Sequence, residues 1–198
     1  MKSTEEKIKE VARKLFIEKG FKHTTIREIA KEAEVNISLM NYYFRSKDKL
    51  FQQILEEGLG EIAPVIRKVL EADLPLEAKK KKYIDEYPDL LIKKPDLPLF
   101  VLSEMRLDPA RFFKISNFAA IYKSEVLANQ LQEAIKQGQI KQITLEEFYT
   151  NLVALTVYPF IVSPVMTHVY KMDQGRFKEF ILQRKTSVYE MVMHTIKK

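Results

Sequence analysis

The sequence predicts an all-α protein, with a compact three-helix head at the N-terminus and a larger helical bundle after it. Three observations carry this expectation. Apolar residues recur at helical spacing along the chain, and no segment alternates with the period of a strand. Ser3 with Glu6, Thr25 with Glu28 and Thr144 with Glu147 each form the capping-box pattern, in which two side chains satisfy free backbone N–H groups at a helix start. Glycine is scarce, at 5 of 198 residues. The usual share is about 7%, so the composition argues against turn-dense β folds and glycine-rich phosphate loops.

The elements follow in order. Ser3 caps a first helix whose inner face is Ile8, Val11, Ala12, Leu15 and Phe16, and Gly20 stops it. Thr25 opens a short helix over roughly 26–33, and Asn36 caps another over roughly 37–44. Ser46 caps a fourth, with Asp48 in its first turn, where the helix dipole favours an anion. Gly58, Gly60 and Pro64 are expected to loosen or bend it. Further helices are expected over about 76–93, 98–106, 110–137, 144–171 and 174–198. The domain boundary expected from this pattern separates residues 1–47 from residues 48–198.

Composition removes several classes of chemistry. The chain has no cysteine, hence no disulfide, thiol nucleophile or cysteine zinc site. Its His residues, at 23, 168 and 194, are too dispersed for a metal motif, and no Glu has a His three positions on, as dinuclear carboxylate sites in bundles require. No nucleophile–base pattern is present, so neither enzymatic activity nor a cofactor is expected. The charged N-terminus lacks an apolar core of the kind that directs secretion, which makes the cytoplasm the expected compartment. The net charge is +6, and residues 1–50 hold 12 Lys/Arg against 8 Asp/Glu. That imbalance directs the search for an anionic partner to the N-terminal end.

Two short helices joined by a three-residue turn suit DNA binding, provided the second one turns polar groups outward. At about 100° per residue, Met40 and Phe44 point the same way. They are expected to close a core with Ile29, Ala30, Val35, Leu15 and Phe16. Ser38, Leu39 and Tyr42 then face out, with Ile37 and Asn41 on one flank and Tyr43 on the other. This face carries amide, hydroxyl, phenol and apolar groups and no charge. An amide pairs with adenine, and an apolar group meets the thymine methyl. Thr25 and Lys47, at helix starts, suit phosphate oxygens, and Arg27 suits guanine or phosphate.

The run Gly20-Phe21-Lys22-His23-Thr24-Thr25-Ile26-Arg27-Glu28-Ile29-Ala30-Lys31-Glu32-Ala33-Glu34-Val35-Asn36, followed by Asn41-Tyr42-Tyr43-Phe44-Arg45-Ser46-Lys47-Asp48-Lys49-Leu50, resembles the tetracycline-repressor (TetR) family. The resemblance covers about residues 5–51. It implies a helix-turn-helix head that binds double-stranded DNA, with residues 37–43 as the recognition helix. The DNA-contacting positions it implies are Thr25, Arg27, Ile37, Ser38, Leu39, Asn41, Tyr42, Tyr43 and Lys47. It further implies a homodimer through the last two helices, and a repressor released from a palindromic operator by a small molecule. Two departures stand out. Glu34 occupies a turn position that is usually glycine, and Ser38 and Leu39 replace the family's common small residue and threonine.

In the body, residues 148–170 are 23 positions without a charge. That length would span a bilayer, but its Thr, Asn, Pro and His content favours a buried helix and no membrane. The aromatic residues Tyr83, Tyr87, Phe100, Phe118, Tyr122 and Tyr158, with Glu104, are candidate ligand contacts. Packing in the core is the competing role for each aromatic. The competing role for Glu104 is surface exposure or an ion pair with Arg106 or Arg111. The run Lys79–Lys82 is expected in solvent. The alternative to a small-molecule sensor is a DNA-bound protein whose body engages a protein partner.

Overall fold

A computed structural model describes residues 3–116 and 118–196. They form eleven α-helices and one short 3-10 helix, with no strand among the described residues. The chain divides into two compact units, Met1–Glu61 with Leu99–Asn117, and Ile62–Pro98 with Phe118–Lys198. The expected boundary at 47/48 cuts the head short. The first turns of α4 (Lys47–Leu70) contribute Leu50, Phe51, Ile54 and Leu55 to the core of the first unit.

In that unit, α1 (Thr4–His23) begins with the Ser3–Glu6 capping box. Regular helix ends at Gly20, whose φ of 76° lies where a side chain is disfavoured, and one further turn completes the element. The buried Thr24 hydroxyl bonds the Leu15 and Gly20 carbonyls and so secures this end. Next come α2 (Ile26–Glu32) and α3 (Ile37–Phe44), matching the spacing of the sequence. Glu34, in the turn between them, has φ 54°. A side chain there costs about 1–2 kcal/mol; Lys7, 2.7 Å away, pairs with the Glu34 carboxylate. Leu15, Phe16, Ile29, Ala30, Met40 and Phe44 are all buried, as the periodicity predicts, whereas Val35, expected with them, is half-buried.

Two more helices belong to this unit, α6 (Leu97–Leu107) from Leu99 onward and α7 (Pro109–Ile115). Phe100 packs against Phe51 at 5.9 Å between ring centroids. Leu107 lies 3.4 Å from where a Cβ on Gly20 would stand. α4 continues as helix to Leu70 through Gly58, Gly60 and Pro64, so the expected loosening does not break it.

The second unit contains α5 (Leu76–Lys93), the 3-10 helix Phe118–Tyr122, α8 (Glu125–Lys136), α9 (Leu145–Ile161), α10 (Ser163–Val169) and α11 (Gln174–Ile196). The single helix expected over 110–137 is instead three elements. Ser116 ends α7 in extended conformation, and the Ser124 hydroxyl accepts from the Leu127 N–H to start α8 afresh. Asn117 lies outside the described residues. The helix expected over 144–171 breaks at Val162, because Pro164 has no N–H to continue the ladder, and α10 leaves at 51° to α9. Among the described residues no single helix is long and apolar enough to cross a membrane.

The expectation for Lys79–Lys82 also fails in part, since Lys79 and Lys80 are buried. The Lys79 ammonium donates to the Leu70 carbonyl at 2.7 Å, capping the end of α4. Burial lowers its pKa against the opposing pull of Asp73.

Candidate nucleic-acid interface

The candidate recognition helix, α3, is built by its neighbours. The Asn36 side chain accepts from the Leu39 N–H at 2.8 Å and fixes the first turn of α3. Met40 and Phe44 anchor one face in the core. The opposite face is open. Ser38 and Asn41 are exposed, Ile37 is 44% exposed and Tyr42 78%. Leu39 and Tyr43 are half-buried at its edges, and the Tyr42 and Tyr43 rings meet edge-on at 5.2 Å. No charged side chain belongs to this helix.

Thr25 and Arg27 stand exposed at the start of α2. The Thr25–Glu28 capping box forms in full, with the Thr25 hydroxyl accepting from the Glu28 N–H and donating to its carboxylate. The backbone N–H of Thr25 is the leading cause of a lowered Glu28 pKa, with the Thr25 hydroxyl and Lys19 adding to it. Thr25 is therefore a structural cap whose hydroxyl a phosphate would have to share.

Lys47 is placed differently from a free phosphate clamp. Its ammonium donates to the Phe21 carbonyl at 2.8 Å and the Thr24 carbonyl at 2.9 Å, and sits 4.2 Å from the Phe21 ring centroid. Two of its three donors thus hold the loop between α1 and α2, and one remains.

Sequence reasoning missed the support behind this face. Arg111 on α7 lies 3.5 Å from the Phe21 ring centroid and 4.1 Å from that of Phe51, and donates to Asp48 at 3.3 Å. A planar guanidinium stacks on rings while its edge bonds a carboxylate. Sequence separation concealed this contact, because nothing local marks Arg111 as a neighbour of Phe21. Glu104, one turn before Asp108, is buried at 3% exposure, contrary to a surface placement. Its Oε1 has no hydrogen-bond partner. Burial lifts its pKa to about 7, although Arg111 pulls the other way.

The residues expected to line one ligand site do not gather in one place. Phe100 and Glu104 belong to the first unit. Tyr158 is 60% exposed on α9. Tyr83, Tyr87, Phe118 and Tyr122 do come together in the second unit. Tyr83 and Tyr87 are buried with ring centroids 5.1 Å apart. Tyr122 meets Phe118 at 5.7 Å and Tyr149, which lies outside the expected set, at 5.4 Å. A void of about 10 Å³ beside Thr156, Pro159 and Ile181 is no larger than one water. An open groove of about 500 Å³ along Ala63–Ala72 carries none of the predicted residues. Among the described residues no cluster of acidic and His side chains is arranged to hold a metal.

Comparison with known proteins agrees with this geometry. Residues 8–54 match the sequence pattern of bacterial regulatory proteins, tetR family. The chain is 25% identical over 174 residues to the probable HTH-type transcriptional regulator YttP of Bacillus subtilis (strain 168), covering 86% of this chain and 84% of that one. It is 20% identical over 140 residues to the HTH-type transcriptional repressor KstR2 of Mycolicibacterium smegmatis, covering 70% and 68%. The fold matches the structure of the ketosteroid transcriptional regulator KstR2 of Mycobacterium tuberculosis with a TM-score of 0.74 at 17% identity, over 100% of this chain and 97% of that one.

Proposed function

Because the chain belongs to the TetR family of DNA-binding transcriptional regulators, we propose that it acts as a cytoplasmic homodimeric repressor, released from a palindromic operator by a small molecule. The observation that carries this reading is the uncharged, exposed face of α3, with Ser38, Asn41 and Tyr42 outward over a fully buried Met40 and Phe44. Such a face reads base edges, while Thr25, Arg27 and the remaining donor of Lys47 hold phosphates. Ile37, Leu39 and Tyr43 complete the contact set at its edges. Repression is favoured by similarity to a protein described as a repressor.

A two-fold pairing of heads matches two half-sites about one helical turn apart. The pairing surface is assigned to α9 and α11. Tyr158, Leu182 and Met191 are exposed there at 60%, 41% and 44%. Val165 and Val169 on the intervening α10 add more uncovered apolar area. A second copy removes that surface from water.

Selection of bound sequences from random DNA tests the reading. The expected product is an inverted repeat whose enrichment falls when small-molecule extract is present. Selection of unrelated sequences, or of single half-sites by a monomer, refutes it.

A further inference from the structure

Charge is sorted by position within the first unit. Along α1, Lys7 pairs with Glu34, Lys9 with Glu5 and Glu57, Lys14 with Glu18, and Lys19 with Glu28. Lys22, the remaining lysine of this helix, is exposed in the last turn and enters no ion pair among the described residues. Its neighbour Phe21 joins the start of α4 to α7. The Phe21 carbonyl accepts from Lys47 at 2.8 Å, and its ring carries the Arg111 guanidinium at 3.5 Å.

A second free cation comes to the same place from α7. At about 100° per residue, Lys114 stands about 60° from Arg111 and about 160° from Phe112. Arg111 meets Phe21 and Asp48, Phe112 is buried, and Lys114 is exposed. Lys114 therefore lies on the solvent edge of the α7 face that meets Phe21, one turn from Arg111. It too enters no ion pair among the described residues. The acids beside it are engaged. Asp48, next to Lys47, pairs with Arg111, and the Asp108 carboxylate accepts from the Arg111 N–H as the cap of α7. Lys22 and Lys114 line neither the small void nor the open groove. Cations spread along a surface suit a polyanion better than a single small anion, and duplex DNA carries about one charge per 1.7 Å of its axis.

We infer that the DNA-contacting surface continues past the starts of α2 and α4 onto α7, with Lys22 and Lys114 taking backbone phosphates and Arg111 as the positioning residue that neutralises Asp48 beside them. The inference rests on the DNA-binding reading and lengthens its footprint. Lys114 lies outside residues 8–54, the segment that matches the family pattern, so α7 adds a contact that the shared segment does not contain.

Binding of the full chain to a mixed-sequence DNA duplex, followed by fluorescence anisotropy between about 50 and 200 mM salt, tests this. Each lost phosphate contact lowers the slope of log affinity against log salt by about one. Lys22→Gln/Lys114→Gln is expected to lower it by about two for each protomer bound, with the melting temperature unchanged, because both side chains are exposed and unpaired. Lys136→Gln/Lys141→Gln removes the same charge from exposed positions of the second unit and is expected to leave the slope as it was. The chain has no cysteine, so Lys114→Cys offers one thiol for a tethered iron chelate. That chelate is expected to cut the bound duplex, and the same chelate on Lys136→Cys is not.

A slope that Lys22→Gln/Lys114→Gln leaves unchanged overturns the inference, as do an equal fall in Lys136→Gln/Lys141→Gln and the absence of cutting from position 114. In each of these cases the parent protein still binds the duplex, and the DNA-binding reading stands with its shorter footprint. A parent protein that binds no duplex at any of these salt concentrations removes that reading and the inference together.

Discussion

Glu104 makes stability depend on pH in a way that one substitution removes. Its carboxyl is buried, its Oε1 is unpartnered, and its pKa is lifted from the ordinary 4.5 to about 7. The folded state therefore holds this proton more tightly than the unfolded chain does. The contribution of Glu104 is fully present below about pH 4.5 and is lost as pH rises through about 7. At about 1.4 kcal/mol per tenfold change in proton affinity, the loss approaches about 3 kcal/mol. In a chain of this size each kcal/mol moves the melting temperature by about 2–4 °C. Gln keeps the shape of the protonated acid and cannot ionise. Glu104→Gln is thus expected to melt about 2–3 °C above the parent near pH 5, and about 6–12 °C above it near pH 8. Differential scanning calorimetry of both proteins from pH 5 to 8.5 checks this. Parallel profiles across the range would show that the carboxyl is charged and paired in the fold, and the reasoning would fail.

Other substitutions test separate parts of the interface. Asn41→Ala and Tyr42→Ala are each expected to cost about 1–3 kcal/mol of binding to the selected operator, with melting temperature and non-specific DNA affinity unchanged in gel-shift and calorimetric assays. Lys47→Ala removes two charge-assisted bonds to carbonyls. It is expected to lower stability by about 2–4 kcal/mol and to weaken binding to all sequences alike; a change in binding without a change in melting would assign Lys47 to phosphate alone. Glu34→Gly relieves a left-handed backbone position at about 1–2 kcal/mol and gives up an exposed pair worth at most about 1 kcal/mol. Its melting temperature is expected to hold or rise by up to about 4 °C, and a clear fall would show that the turn relies on Lys7.

How far the sequence anticipated these structures depended on whether the determining contacts are local. The capping boxes at Ser3–Glu6 and Thr25–Glu28, the Asn36 cap, Gly20 and the alternation of buried and exposed residues on α3 act within four or five residues and were legible; at Thr144 the expected cap appears as the Glu147 N–H donating to the Thr144 hydroxyl. The stops inside 110–137 and 144–171 were legible in part, since Ser124 and Pro164 are ordinary start signals that continuous apolar spacing outweighed. Lys79 and Lys80 look solvated by residue type. Their burial comes from where α4 ends, with the Leu70 carbonyl in need of a donor. The candidate ligand residues are divided for the same reason. Phe100 and Tyr83 look alike in the sequence, and only the long-range fold assigns them to different units.

Arg111 shows what such long-range placement does for the proposed DNA-contacting face. It stacks on Phe21 from α7. The Phe21 carbonyl takes a bond from Lys47, which also bonds the Thr24 carbonyl, and Thr25 then caps α2. Each link is a direct contact within one unit, so the start of α2 is held by residues of α7 as well as by its own cap. α4 and α6 each run from one unit into the other as continuous helix. A ligand that favours a different course of α6 would act on Arg111 through Asp108 and the first turn of α7, and it can shift DNA binding only by its difference in affinity for the two arrangements. Arg111→Ala separates this chain of contacts from a merely stabilising one. If the contacts carry the signal, DNA affinity in the absence of ligand falls and the further loss on adding ligand shrinks with it, whereas a structural role lowers melting and leaves the ligand effect intact.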